Sequence, residues 1–291
     1  MSSKKVLVLC GPTGVGKTAI SITLAQRFHG EIINADASQI HKELTIGTAK
    51  ITKEEMQGVP HHLIDFLPPT APFSIKDYQD QARKLIETIN HPILVGGSGL
   101  YIKAALTDYD LSSEPRDIDE DPRSNEELHQ VLRSLDPVAA EKIHPNNRRR
   151  VLRYIELATT RGTVKPKEAT MLYDVLVICL LRPRDDLYQR INERVLAMMK
   201  AGWLEEVKSL IHQGINLDLV QEIGYRELGD YLNGKLTLEA AIDSIQKQTR
   251  HYAKRQITWF KHQMKATFID LSSQTLEDVE NITQEFYAKH E

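Results

Sequence analysis

The amino-acid sequence predicts an α/β protein: a parallel sheet flanked by helices and interrupted by an all-helical insertion. Three observations predict it. Five short, β-branched apolar runs alternate with amphipathic stretches, the pattern of buried parallel strands and their crossover helices. A glycine-rich turn follows the first run. The alternation then stops between about residues 107 and 170, where no strand pattern occurs.

The runs are KVLVLC (5–10), EIINAD (31–36), HLIDF (62–66), PILVGG (92–97) and DVLVICL (174–180), each bounded by turn residues. The clearest helix between them is FSIKDYQDQARKLIETIN, with Ser74 as N-cap and Asp77 completing a capping box. Residues 108–127 hold nine acidic residues against two arginines, the composition of an exposed linker. The stretch EELHQVLRSLDPVAAEKIHPNNRRRVLRYIELATTRG reads as two or three helices. The expected division is therefore a core of 1–107 and 171–291 around a helical insertion of 108–170. Residues 185–264 read as mostly helical.

The chain has 291 residues, 41% of them apolar and 26% charged, enough for a sizeable core. A net charge of −3 does not by itself announce a nucleic-acid partner, so any such partner rests on local charge. Cys10 and Cys179 lie in or at the end of apolar runs with no C-x-x-C spacing, and read as inert core residues of a reducing compartment. No stretch approaches the ~18 apolar residues of a membrane span, and the N-terminal apolar run is too short for a signal peptide. The expected location is the cytoplasm.

The turn Gly11-Pro12-Thr13-Gly14-Val15-Gly16-Lys17-Thr18 fits the phosphate-loop pattern in full. Its glycines let backbone N–H groups converge on phosphate oxygens, and Lys17 adds a charge. The Thr18 hydroxyl can hold Mg²⁺, and the following helix points its positive end at the anion. The fold expected is thus of the P-loop NTPase-like type.

The loop alone does not name a reaction. Most such proteins are kinases or NTPases, which usually carry an apolar strand ending in an Asp that supports Mg²⁺. Here PILVGGSGLY ends in glycines, and the other strand-end acid is Asp36 in IINADASQ. A carboxylate there sits over the binding crevice as a base, a metal ligand or a turn-forming residue. Ser98, in GGSGLY, faces the same crevice unless that segment is simply a tight strand–helix turn. Adjacent His61 and His62 point to opposite faces of a strand and read as polar-network residues.

Two basic features oppose the acidic whole. Residues 148–165 sum to +5, with Arg148, Arg149, Arg150 and Arg153 in six residues. On a helical wheel Lys247, Arg250, Lys254 and Lys261 fall within about a 60° arc, opposite Ile242, Ile245, Tyr252, Trp259 and Phe260. A solvated face is the commoner meaning of such runs. Two of them on a chain with a phosphate site favour a polyanion partner.

In order along the chain, GPTGVGKT, NADASQ with IGTAK, GVPHHLID, LVGGSGLYIKAAL, DPVAAEKIHPNNRRRVLRYIE, LYQRINERV with AGWLEEV, IGYREL and YAKRQITWF resemble the tRNA dimethylallyltransferase (isopentenyltransferase) family from about residue 6 to 262. The resemblance implies that the loop Gly11–Thr18 holds the diphosphate of dimethylallyl diphosphate, with Arg190 and Arg194 beside it. It implies Asp36 as general base for the adenosine amine and Ser98 as a hydroxyl near the transfer site. It implies tRNA contacts from Asp36, Ala37, Ser38 and Gln39, and from Arg149, Arg150, Val151, Leu152 and Arg153 of a tRNA-binding insertion. The implied acceptor is the adenosine 3′ of the anticodon in tRNAs that read codons beginning with U, the implied cofactor Mg²⁺, and the implied state a monomer. A small-molecule or nucleoside kinase is the alternative. The chain departs from the family pattern at Ala37 (usually Ser), His41 (usually Tyr) and Ser98 (usually Thr). Its insertion is about one helix shorter, and it lacks the zinc-finger extension of eukaryotic members.

Overall fold

The computed structural model describes residues 4–108, 111, 121–161 and 170–289. The chain divides into two compact units, Met1–Leu111 with Thr170–Glu291, and Ser112–Ala169. Most of the acidic stretch at 108–127 lies outside the described residues.

The first unit is built on a six-stranded, all-parallel sheet. Its strands are β1 (Lys5–Cys10), β2 (Glu31–Asn34), β3 (His61–His62), β4 (Pro92–Gly96), β5 (Asp174–Leu181) and β6 (Thr267–Asp270), in the order β3-β2-β4-β1-β5-β6. Central β1 is buried on both faces from Val6 to Cys10, which is why its run is apolar at each of those positions. Val6, Val8 and Cys10 face one layer, against α2 (Ile75–Thr88), α3 (Gly99–Leu106) and Phe260 of α10 (Leu238–Gln263). Leu7 and Leu9 face the other, against α1 (Lys17–Arg27), α7 (Arg184–Lys200) and α11 (Leu276–Ala288). The Ser74–Asp77 capping box opens α2. A third core, around Trp203, Tyr225 and Ile245, joins α8 (Trp203–His212), α9 (Tyr225–Leu232) and α10.

Three details differ from the sequence pattern. HLIDF (62–66) contributes only His62 to the two-residue β3, because Leu63 and Asp65 adopt left-handed backbone at φ 56° and leave the extended state. β2 stops at Asn34, whose side chain turns the chain by bonding around Asp36. The edge strand β6 and helix α11 follow where no pattern was read; TFID is short and mostly exposed.

Cys10 and Cys179 stand side by side in the β1–β5 register, both free and fully buried. Burial and the neighbouring thiol hold Cys10 well above its ordinary pKa, so it stays a protonated core residue. His62 Nε2 pairs with Glu31 at 2.7 Å, and His61 Nδ1 donates to the Val59 carbonyl at 2.8 Å. No described helix is long and apolar enough to cross a membrane.

The second unit contains α4 (Asn125–Leu135), α5 (Pro137–Lys142) and α6 (Arg148–Arg161) around Leu128, Leu132, Ile143 and Val151.

Candidate active site

A parallel sheet aims the loops at the carboxyl ends of its strands into one crevice. Here these are the turn after β1, which is the phosphate loop, the turn after β2, which carries Asp36, and the turn after β4, which carries Ser98. Gly16 caps α1 at φ 108°, a left-handed conformation that side chains resist.

Lys17 Nζ donates to the carbonyls of Gly11 (2.9 Å) and Pro12 (3.0 Å), keeping the ammonium inside the loop. Burial pushes the Lys17 pKa down to about 8; the Arg194 guanidinium works in the same direction and Asp36 opposes both. Arg190 Nε donates to the Gly14 carbonyl at 3.1 Å. Arg194, four residues on along α7, is half-buried, and burial lowers its pKa while Asp36 raises it.

Asp36 is held in place by its own turn. Its Oδ1 accepts from Ser38 N–H at 3.0 Å, and its N–H donates to Asn34 Oδ1 at 3.0 Å. Ser98 Oγ accepts from Ala37 N–H at 3.0 Å and Ser98 N–H donates to the Ala35 carbonyl at 3.0 Å, so Ser98 braces the turn that carries Asp36. Gln39 donates to the Ala49 carbonyl at 3.3 Å.

Two cavities meet here. One, of about 430 Å³, is walled by the phosphate loop, Thr18, Gln39, Arg190 and Glu193. The other, of about 350 Å³, is walled by Ala37, Ser38, Glu222, Tyr252 and Arg255. Thr13, Asp36, Thr48 and Arg194 line both. Lys17 and Arg190 stand on the loop side with Glu193, and the second cavity carries Glu222 and Arg255, with Asp36 and Arg194 common to both.

The sequence reading missed several members of this site. Gln256 of α10 accepts from Thr13 N–H at 2.9 Å and donates to the Gly97 carbonyl at 3.0 Å, tying the phosphate loop to the Ser98 turn. A side chain on Gly97 would collide with that amide, which accounts for the glycine. Arg182 Nε donates to the Val15 carbonyl at 3.0 Å. Glu206 accepts from the N–H groups of Thr45, Ile46 and Gly47 at 3.0, 2.7 and 3.1 Å and from the Tyr225 hydroxyl at 2.7 Å. Gln256, Glu206 and Tyr225 lie in the quoted motifs YAKRQITWF, AGWLEEV and IGYREL, the one signal that pointed at them.

The arginine run belongs to the other unit. Arg149 and Arg150 are exposed on α6, with Arg150 over the Tyr154 ring. Arg153 pairs with Glu156 at 3.0 Å. Val151 is fully buried, and Leu152 is partly buried against that core. Arg148 is bound to its own unit, donating to the Arg123 carbonyl at 2.7 Å and to the Asp121 carbonyl. On α10, Lys247, Lys254 and Lys261 are exposed, whereas Arg250 donates to Asn192 Oδ1 at 2.6 Å.

Fold and site together define a P-loop-type α/β protein in which an anion-binding loop and a carboxylate share one crevice. Residues 39–263 match the IPP transferase family and residues 4–69 an isopentenyl transferase family. The tRNA dimethylallyltransferase of Anoxybacillus flavithermus is 45% identical over 287 residues, covering 94% of this chain and 92% of that protein. A crystal structure of the tRNA isopentenylpyrophosphate transferase from Bacillus halodurans superposes with a TM-score of 0.76 at 41% identity, over 97% of this chain and 96% of that one. A eukaryotic dimethylallyltransferase acting on tRNA gives 0.87 at 30% identity, over 99% and 81%. The chain belongs to the IPP transferase family.

Proposed function

We propose that the protein transfers a dimethylallyl group from dimethylallyl diphosphate to the N6 amine of the adenosine 3′-adjacent to the anticodon, in tRNAs reading U-starting codons, and releases diphosphate. The observation that carries this reading is the sharing of Asp36 and Arg194 between the phosphate-loop cavity and its neighbour. One chamber suits an anion, the other a base, and a proton acceptor stands between them. Family membership sets aside the kinase alternative.

The diphosphate binds the Gly11–Thr18 loop, with Arg190 and Arg194 adding charge. As the allylic C–O bond breaks, its electron pair leaves with the diphosphate and the allylic carbon becomes cation-like. Loop N–H groups, Lys17 and the arginines stabilise the charge growing on the leaving group. The adenine amine, a weak nucleophile, attacks that carbon while its proton passes to Asp36. Ser98 acts through Asp36 by fixing the turn that carries it.

The Thr18 hydroxyl, with the Glu193 carboxylate on the same cavity, offers oxygen donors that would suit a hard cation such as Mg²⁺. Held there, the ion would supply positive charge toward the diphosphate. Reaching the amine requires pulling the base from its stack, at a cost of a few kcal/mol. The tRNA grip that offsets this is assigned to Ala37, Ser38 and Gln39 and to Arg149, Arg150 and Arg153. The enzyme is read as a cytoplasmic monomer, a location that suits its two buried free thiols.

Incubation with labelled dimethylallyl diphosphate and bulk unmodified tRNA, followed by nucleoside analysis, tests the proposal. Label in N6-modified adenosine is the expected result. ATP turnover without tRNA, and no labelled nucleoside, would overturn it.

A further inference from the structure

His41 and Glu222 form a pair the reaction has not used. His41 Nε2 lies 3.7 Å from Glu222 Oε1, with the two side chains only 13% and 12% exposed. His41 Nδ1 lies 3.0 Å from the Pro68 carbonyl, which can only accept, so Nδ1 carries a proton, and Nε2 attracts the Glu222 carboxylate when it is protonated too, as imidazolium. Lys50 also fixes the His41 backbone by donating to its carbonyl. The pair therefore joins the loop after β2 to the segment before α9.

Its position gives it a use. Glu222 lines the Asp36 cavity and also an adjoining cavity of about 420 Å³ walled by His41, Phe73 and Tyr101. Ala37, Gln221 and Glu222 are common to both and form the neck between them. A carboxylate repels phosphates, so the groups of a nucleic acid it can bind are N–H donors of the bases and hydroxyls of the sugars. Lys17 and Arg190 lie on the loop side, while Arg194 and Arg255 line the Asp36 cavity together with Glu222.

We propose that Glu222, oriented by His41, is a specificity residue for the acceptor: it accepts a hydrogen bond from a base N–H that enters the neck and takes no part in holding the diphosphate donor. This rests on the reading of the acceptor as RNA. The charged and titratable groups around Glu222 are Asp36 and His41 from the loop after β2, Tyr101 of α3, Arg194 of α7, Tyr225 of α9, and Tyr252 and Arg255 of α10. Burial raises the Glu222 carboxyl above its ordinary range; His41 opposes the rise and Asp36 adds to it. Acidification thus neutralises Glu222 earlier than an ordinary glutamate.

The test uses the full chain with Glu222→Gln, His41→Phe and the double variant. It reads KM for unmodified tRNA and for dimethylallyl diphosphate, direct tRNA binding, and Tm. Glu222→Gln should raise the acceptor KM and Kd roughly tenfold or more, the worth of one charge-assisted hydrogen bond. The donor KM should stay within about twofold, and Tm should not fall, because a neutral amide replaces a buried carboxylate. His41→Phe should weaken tRNA use in the wild-type background and add nothing to Glu222→Gln. An unchanged acceptor KM, or a donor KM that moves with it, would overturn the proposal. Wild-type protein that binds tRNA but transfers no prenyl group would defeat the proposed reaction, and the binding comparison would still decide the role of Glu222.

Discussion

Lys17 carries a charge where it is costly to keep. Its pKa is pushed down to about 8 by burial, against about 10.4 for an unfolded lysine. Below about pH 8 it is charged in both states, and the folded chain bears the full cost. Between about 8 and 10.4 the folded state loses its proton first, so stability rises with pH across that window. Lys17→Met removes the cost. Its Tm relative to wild type should be most favourable below pH 8 and lose that advantage by about pH 10.4, while dimethylallyl diphosphate binding collapses. A Tm difference constant with pH would show that Lys17 is not the group responsible. Asp36→Asn preserves the acceptor for Ser38 N–H but cannot take a proton, so kcat should fall about 10²- to 10⁴-fold. Donor affinity should barely move, and tRNA binding should weaken by no more than about 1.5–3 kcal/mol. Near-normal turnover in single-turnover assays would remove Asp36 from the chemistry.

At the scale of elements, the loop after β2 is secured from a distance. The Glu206 carboxylate on α8 gathers three consecutive N–H groups of residues 45–47 and the Tyr225 hydroxyl of α9. Glu206→Ala leaves those donors without their acceptor and should cost about 3 kcal/mol, read from the urea midpoint. Because Thr48 on the same loop lines both cavities, the donor KM should rise as well. A variant as stable as wild type would show that the loop holds itself. This clamp also marks how far local pattern reaches. β1, the phosphate loop and α1 were legible because spacing and periodicity are properties of neighbouring residues, and so was the Ser74 cap. β3 was overread because two left-handed residues leave no trace in an apolar run. Glu206 and Gln256 were invisible as site residues because their partners lie 159–161 and 159–243 residues away. Val151 and Leu152 were assigned to an RNA surface by resemblance, whereas Val151 fills the insertion's core and Leu152 packs beside it.

For the molecule as a whole, a chain of net charge −3 has to present cations locally to hold a polyanion. Arg149 and Arg150 are exposed and Arg153 is partly so, whereas Arg148 is bound to its own unit. Neutralising Arg149, Arg150 and Arg153 should weaken tRNA binding and flatten its dependence on log salt by about 0.7–0.9 per lost phosphate contact. An unchanged slope in a salt titration would place these arginines off the RNA path. The Thr13–Gln256 bond adds a consequence for the order of assembly. The phosphate loop leaves the ribosome well before α10, and one of its N–H groups waits for an acceptor 243 residues downstream. At roughly 5–20 residues per second, that is about 12–50 seconds of synthesis. Through that interval the nascent loop lacks the strut that sets its final shape. Docking of α10 against the sheet supplies that strut, so the last hydrogen bond of this loop depends on a contact made far along the chain.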